Sequence, residues 1–417
     1  MRALIGKWFD IVLWKRILAA LVLGAIAGYF LGDTVNSFKW VGDLFIRMIK
    51  MLIVPLVFLT LVSGVTAMSD PKRIGSIGGR AIALYLGTTA LAIIIGLACG
   101  TLLQPGAGAD FSGATPYEVN KAVSLTERFM AIVPENPFAA FAEGNLLAII
   151  FFAIMTGCAL LITGEKAKGL TAIFEEGSEM MLKMTSIVME FAPFGVFALV
   201  AWVMGSVGLS AFMNLFILAV AVYIGCFVHM FLVQGPLVKL LARLPVRPFF
   251  KGAREPQLVA FSTSSSSATL PATLSAAEHN LGIKPAIASS VLPLGATVNM
   301  DGAALYVTIV TLFAAQAFGM QLDMADYLII GITTTLVSVG ASTVPSGSLF
   351  LMAVVLESIG MTPAQSALVV GFVLPFDRIL DMMRTVVNIT GDLAVSTIVA
   401  KWEGEIDESI YKAEPFE

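Results

Sequence analysis

Apolar stretches long enough to cross a bilayer recur along this chain, near residues 12–31, 42–68, 80–103, 137–163, 186–207 and 211–242. A membrane-spanning helix needs about 20 mostly apolar residues. Only 13% of the 417 residues are charged and 58% are hydrophobic, whereas a soluble domain carries about 25% charged residues. The expected fold class is therefore an all-α polytopic membrane protein, with lipid as its main solvent. Glycines inside the apolar runs are compatible with this, being common in membrane helices.

The remaining composition excludes several functions. Net charge is only −4, and Lys and Arg form no long run of the kind that binds nucleic acid. Cys99, Cys158 and Cys226 each sit inside an apolar run and read as small core residues, neither a disulfide framework nor a zinc site. Two histidines, His229 and His279, are too few for a transition-metal cluster. The N-terminus shows no cleavable signal pattern, and its first apolar run, preceded by Lys15 and Arg16, is expected to be a retained helix.

Cation placement orients the chain. Lys72, Arg73 and Arg80 follow the second apolar run; Lys239, Arg243, Arg247, Lys251 and Arg254 follow the sixth. With alternating helices, both clusters fall on the side of Lys15 and Arg16, which the positive-inside rule makes cytoplasmic. The polar segment 104–136 then faces outward as a loop.

Beyond about residue 255 the texture changes. Apolar runs are interrupted by Ser, Thr, Gly and Pro without becoming charged: FSTSSSSATLPATL (261–274), GATVNMDGAALY (295–306) and VSVGASTVPSGSLF (337–350). At membrane depth, irregular backbone is tolerated only against protein or a water-filled cavity. The first and third read as tips of re-entrant hairpins, the second as an unwound break in a helix. Interrupted segments in corresponding halves point to a transporter site. A helix with NMDG (299–302) follows the first hairpin and one with NITGD (388–392) the second, which suggests a repeat.

The strongest local signal is LPFDRILDMMRTVVNITGD (374–392). Asp377, Asp381, Arg384, Asn388 and Asp392 are spaced by three or four residues and share one helix face. An intramembrane charge costs about 2.5–3.5 kcal/mol on insertion scales, so four on one stripe rival a folding free energy of about 5–15 kcal/mol. Something has to compensate them. An internal network pairing Asp381 with Arg384 leaves Asp377 and Asp392 unanswered; Arg378 lies off the stripe, and its role is open. An acidic surplus beside broken helices suits a hard cation such as sodium, which prefers oxygen ligands. Arg384 offers a donor fork for a carboxylate, and Asp381 can accept an ammonium. Backbone N–H groups and hydroxyls at the hairpin tips can hold a second carboxylate. Two carboxylates and one ammonium describe aspartate or glutamate.

Nearly end to end, these motifs resemble the dicarboxylate/amino acid:cation symporter family, which includes the excitatory amino-acid transporters and archaeal aspartate transporters. The likeness runs from LVLGAIAGYFLG and FIRMIKMLIVPLVF through APFGVFALVAWVM to TSSSSATLP, GATVNMDG, VPSG and DRILDMMRTVVNITGD. It implies eight transmembrane helices plus two re-entrant hairpins in inverted repeats, a homotrimer in the inner membrane of a bacterium or archaeon, and both termini cytoplasmic. Residues 1–78 and 104–242 would form mainly the trimerisation scaffold. Residues 79–103 and 243–401 would form mainly a transport domain moving like an elevator, with 402–417 as a cytoplasmic tail.

By the same resemblance, Arg384 would bind the substrate side-chain carboxylate and Asp381 its amino group, with Thr385 and Asn388 at the main-chain carboxylate and amino end. Ser265 and Ser266 in the first tip and Val344 in the second, gating tip would complete the pocket. Co-transported sodium ions would bind at Gly295, Asn299, Asn388 and Asp392. A second site would use Thr297, Met300, Ser338, Val339 and Ala341, mostly through backbone, and a third Tyr85, Thr88, Thr89, Asn299 and Asp301. Without the family, the YLGTT run reads as helix packing. Three departures stand out: Ala303 where the family usually has Thr, Ser264 where the archaeal proteins carry Arg, and fewer glycines in GASTVPSGS. Arg378 is a candidate to supply the missing charge.

Rival functions fit less well. A pure channel needs a continuous path, whereas paired hairpins suggest alternating access. An intramembrane enzyme using a serine from 262–267 needs a positioned base, and His279 beside Glu278 lies in a polar stretch. Among carriers, Asp381 argues against a plain C4-dicarboxylate carrier and Arg384 against a neutral amino-acid carrier. Proton coupling in place of sodium stays open.

Overall fold

A computed structural model describes residues 11–66, 71–109, 133–143, 146–207, 209–339 and 347–414. Fourteen helices are used below: α1 (Leu13–Leu31), α2 (Lys39–Thr66), α3 (Pro71–Leu103), α4 (Leu146–Thr163), α5 (Lys168–Met189), α6 (Ala192–Trp202), α7 (Leu209–His229), α8 (Arg254–Thr263), α9 (Ser266–His279), α10 (Pro285–Val298), α11 (Asp301–Ala317), α12 (Met324–Val339), α13 (Gly347–Ser358) and α14 (Pro363–Glu403). The described residues form no strand; one antiparallel bridge joins Ile283 and Ile406.

Four helical segments among the described residues are long and apolar enough to cross a membrane: Lys15–Met48, Ile77–Leu103, Phe212–Ala242 and Pro285–Ala317. A fifth arises if Phe151–Met189 and Ala192–Ser206 count as one span bent by 52°. Burial divides them. The segment Pro285–Ala317 is 100% buried in its most apolar window, while the first three bury only 28%, 33% and 39%. A helix apolar all round and buried all round belongs at the centre of the assembly, and half-exposed apolar helices belong against lipid.

The expected stretch near 186–207 is helical from Ala192 to Val207, with a turn near its start. The chain turns at Glu190 and Phe191, so α5 ends where that run was expected to start. The helix α5 escapes a search for apolar runs because Glu175, Glu176, Glu179 and Lys183 give it a polar face. Its other face packs on α2, which also touches α4 and α6. Of the polar segment 104–136, residues 110–132 lie outside the described residues.

The last helix organises the second half. Thr362 caps α14 through a reciprocal capping box with Gln365, and Pro363 occupies the first turn. Gly404, at φ 71°, ends it in the left-handed conformation that glycine adopts without strain. Between these stops α14 runs for 41 residues and is touched by α3, α7, α8, α9, α10, α11 and α13. The helices α8 and α9 form a hairpin around Ser264 and Ser265, with Ser264 at φ 53°. The helix between α9 and α12 is interrupted at Asn299 and Met300, where the 295–306 motif was expected to unwind. Residues 340–346, the expected second tip, lie outside the described residues.

Candidate functional site

All five stripe residues of α14 are buried: Asp377, Asp381, Arg384, Asn388 and Asp392. They divide into two clusters of opposite character. The first surrounds Arg384. One guanidinium nitrogen, Nη2, donates to Asp381 Oδ1 at 2.7 Å and to Asp377 Oδ1 at 3.0 Å. The guanidinium carbon lies 3.8 Å from the ring centroid of Tyr306 on α11, a favourable stacking for a desolvated cation. Its Nε and Nη1 have no acceptor among the described residues. The Arg384–Asp381 pair weighed as an internal network is therefore present through one arm of the fork, and the same arm answers Asp377, which that pairing was expected to leave without a partner. Arg378 approaches Asp381 from the other side, with Nη1 3.9 Å from Oδ2. Two acids and two arginines make this cluster neutral in sum.

Thr385 donates its hydroxyl hydrogen to the carbonyl of Asp381 at 2.8 Å, which leaves its oxygen lone pairs for another donor. Ser265 is the N-cap of α9, accepting from the amide of Ala268 at 3.2 Å, and Ser266 is buried in the first turn. Val344, expected to close the pocket, lies outside the described residues, as does Ala341.

The second cluster forms around the break between α10 and α11, where helix ends lose their backbone partners. Asn299 Nδ2 donates to the carbonyl of Asn388 at 3.0 Å and to Asp392 Oδ1 at 2.9 Å. Asn388 Oδ1 accepts from the amide of Gly302 at 2.8 Å, and its Nδ2 donates to the Met300 sulfur at 3.3 Å. Asp301 is fully buried; Thr89 donates to its Oδ1 at 2.8 Å and Thr88 at 3.3 Å. Tyr85 donates to the carbonyl of Val291 at 3.2 Å. Glycine is required at 295: an added Cβ would sit 2.4 Å from Tyr85 Oη and 2.5 Å from Asp392 Oδ1.

The structure thus draws Tyr85, Thr88, Thr89, Gly295, Asn299, Met300, Asp301, Asn388 and Asp392 into one network. It does not hydrogen-bond Thr297 or Ser338 into it. The Thr297 hydroxyl donates to Leu294 at 2.9 Å and that of Ser338 to Thr335 at 2.9 Å, each within its own helix. Val339 ends α12, which touches α10.

No Lys or Arg reaches Asp301 or Asp392 within ion-pair distance among the described residues; His229 lies at Asp301. The buried Asn299 Oδ1 lacks a partner there. Carboxylate, amide, hydroxyl and carbonyl oxygens around two acids that no Lys or Arg reaches among the described residues form a donor set suited to a hard monovalent cation.

Sequence reasoning missed three members. His229 places Nε2 2.9 Å from Asp301 Oδ2, both side chains fully buried. Gln234 donates to the same oxygen at 3.5 Å and to the carbonyl of Val387 at 3.0 Å. The available signal was a polar pair five residues apart in an apolar run, brought together by a π-helical turn over Met230–Gln234. The third, Tyr306, stood in an ordinary apolar helix, and nothing in its spacing marked it as the face beneath Arg384.

The profile of the sodium:dicarboxylate symporter family matches residues 13–402. Among curated relatives, a proton/sodium-glutamate symport protein of Geobacillus stearothermophilus is 33% identical over 405 residues, 94% of this chain and 95% of the relative. A proton/glutamate-aspartate symporter of Bacillus subtilis is 34% identical over 395 residues, covering 93% and 94%. A C4-dicarboxylate transport protein of Geobacter sp. is 33% identical over 405 residues, covering 95% and 91%.

Proposed function

The chain belongs to the sodium:dicarboxylate symporter family, and on that premise we propose that it carries aspartate or glutamate into the cell together with sodium. It is a multi-pass membrane transporter and not an enzyme. The observation that carries the proposal is Arg384: a buried guanidinium with two donors that find no acceptor among the described residues, beside a buried carboxylate, Asp381. Its free arm takes the side-chain carboxylate and Asp381 takes the ammonium. Thr385, Asn388, Ser265, Ser266 and Val344 complete the pocket.

Sodium enters through the second cluster. Gly295, Asn299, Asn388 and Asp392 hold one ion, and Tyr85, Thr88, Thr89, Asn299 and Asp301 another. A further site uses Thr297, Met300, Ser338, Val339 and Ala341. Because Asn388 bonds Gly302 and Met300 in the ion cluster and lies one turn from Arg384, ion binding orders the residues that hold substrate. That linkage is what makes transport coupled.

The architecture proposed is eight transmembrane helices with two re-entrant hairpins, α8–α9 and α12–α13, in a homotrimer. The parts at 79–103 and 243–401 move as an elevator against the scaffold at 1–78 and 104–242. Arg80 pairs with Glu403 at 2.5 Å and Lys251 with Glu414 at 2.5 Å. Both basic clusters thus meet the C-terminal segment at one end of the molecule, which supports placing that end in the cytoplasm with both termini.

A second reading replaces sodium with protons, favoured by the proton symport named for two of the relatives. Uptake of labelled aspartate into proteoliposomes tests both. Accumulation driven by a sodium gradient supports the first; accumulation driven by a pH gradient alone supports the second; no accumulation under either overturns the proposal.

A further inference from the structure

Arg243 is held in a backbone conformation that few residues other than glycine adopt. It ends the helical segment Phe212–Ala242 at φ 56° and ψ 33°, in the left-handed region. The carbonyls on either side of it are both taken by the C-terminal segment. Leu241 accepts from Trp402 Nε1 at 3.0 Å, and Pro245 accepts from the hydroxyl of the buried Tyr411 at 2.9 Å. These two bonds fix the turn, while Arg243 itself is exposed. A strained backbone of this kind persists only where the surroundings over-determine it, and such places cluster at sites that bind.

The charges around this turn are unequal. Glu403, Glu405, Glu408 and Glu414 each pair with a Lys or Arg of the fold, and the Asp407 carboxylate caps the turn at Ser409 and Ile410. The acids of the C-terminal segment are therefore already answered. Lys239 and Arg243, both exposed, form no ion pair among the described residues. The same helical segment carries Leu232 and Leu240, 68% and 70% exposed, apolar surface of the kind that faces acyl chains. Trp402, half-exposed, sits at the level of Leu241 through its indole bond, and indoles favour the headgroup zone of a bilayer. A positive-inside signal needs cations alone. It requires neither a left-handed arginine nor the sequestering of neighbouring acids.

We propose that Lys239 and Arg243, with Trp402 beside them, bind the phosphate headgroup of an anionic phospholipid in the cytoplasmic leaflet. Arg243 offers its planar fork to the phosphate oxygens, Lys239 adds a second charge, and the exposed leucines meet the acyl chains. The leaflet is set by the placement of this end of the molecule in the cytoplasm proposed above. Fixing the arginine backbone in advance lowers the ordering cost of binding, which gives the bonds from Trp402 and Tyr411 a purpose beyond closing the turn.

The test is thermal unfolding of the purified full chain in detergent, titrated with phosphatidylglycerol, with phosphatidylcholine and inorganic phosphate as separate arms. A ligand bound only by the folded state raises the unfolding temperature once its concentration passes its dissociation constant. The wild type rises with phosphatidylglycerol and with neither of the others. In Arg243→Gly the turn keeps its conformation, because glycine adopts a positive φ without strain, so the variant folds at least as well as the wild type. Its half-saturating phosphatidylglycerol concentration nevertheless rises about fivefold or more, as does that of Lys239→Gln. Lys168→Gln, which removes an exposed cation at the start of α5, leaves the titration unchanged. A wild type indifferent to phosphatidylglycerol, an Arg243→Gly protein that responds as the wild type does, or an equal loss in Lys168→Gln overturns the site. An equal rise with inorganic phosphate overturns the lipid assignment. No transport is measured, so these outcomes are independent of the coupled uptake proposed above.

Discussion

Asp301 Oδ2 and His229 Nε2 are 2.9 Å apart with neither side chain exposed to solvent. Asp301 stands at the start of α11, just past the helix break, and His229 at the end of α7. The contact therefore ties the candidate ion cluster to a helix that sequence reading left out of it. Replacing His229 with Ala leaves Asp301 Oδ2 with Gln234 at 3.5 Å as its remaining partner. The expected outcome is a loss of about 1–3 kcal/mol in stability and an altered cation requirement. Thermal unfolding in detergent reads the first, and aspartate uptake against sodium concentration reads the second.

Tyr306 should matter to substrate affinity without touching the ions. Its ring supports the Arg384 guanidinium at 3.8 Å, a contact worth about 0.5–2 kcal/mol when desolvated. Tyr306→Leu is expected to weaken apparent aspartate affinity by about threefold to thirtyfold. Tyr306→Phe, which keeps the ring, should cost less. Initial uptake rates over a range of aspartate concentrations distinguish the two.

At Gly302 the backbone of α11 packs closely on that of α14. A Cβ there would lie 2.4 Å from the carbonyl oxygen of Arg384 and 2.8 Å from its Cα. Backbone atoms cannot move aside as a flexible side chain can, so Gly302→Ala should destabilise by about 1–3 kcal/mol or more. The yield of monodisperse protein and its unfolding temperature check this.

The C-terminal segment carries a pH signature outside the membrane. Hydrogen bonds from Lys401 and Lys412 hold the Glu408 carboxyl down at about 2. Asp407 is lowered as well, first by its bond from the Ser409 hydroxyl. A depressed carboxylate stabilises above its unfolded value, about 4.3 for Glu, and loses that contribution as pH falls through the folded value. Docking of Glu408–Lys412 should hold at neutral pH and loosen between about pH 4 and pH 2. Hydrogen exchange or protease sensitivity of this segment follows the transition.

Much of this was legible from spacing alone. The stripe from Asp377 to Asp392 could be placed on one helix face because four charges and an asparagine at three- and four-residue intervals have no other economical explanation in lipid. The break at Asn299 and Met300 was legible because GATVNMDG interrupts an apolar run without adding exposed charge. The helix α5 was not, since its acidic face lowers the mean apolarity that a span search relies on. His229, Gln234 and Tyr306 were hidden for another reason: each becomes informative only when a distant helix supplies its partner. Arg378 shows the limit most clearly. Periodicity put it off the stripe, yet the carboxylate of Asp381 reaches both arginines because it lies between them.

The central proposal is that Asp301 and Asp392, which no Lys or Arg reaches within ion-pair distance among the described residues, take travelling cations whose arrival readies Arg384 for substrate. Equilibrium binding of labelled aspartate to purified protein across a sodium series tests it most directly, with Asp392→Asn alongside the wild type. The account predicts tight binding only at high sodium in the wild type, and a sodium midpoint displaced upward in the variant. Aspartate affinity that ignores sodium in both proteins would contradict it.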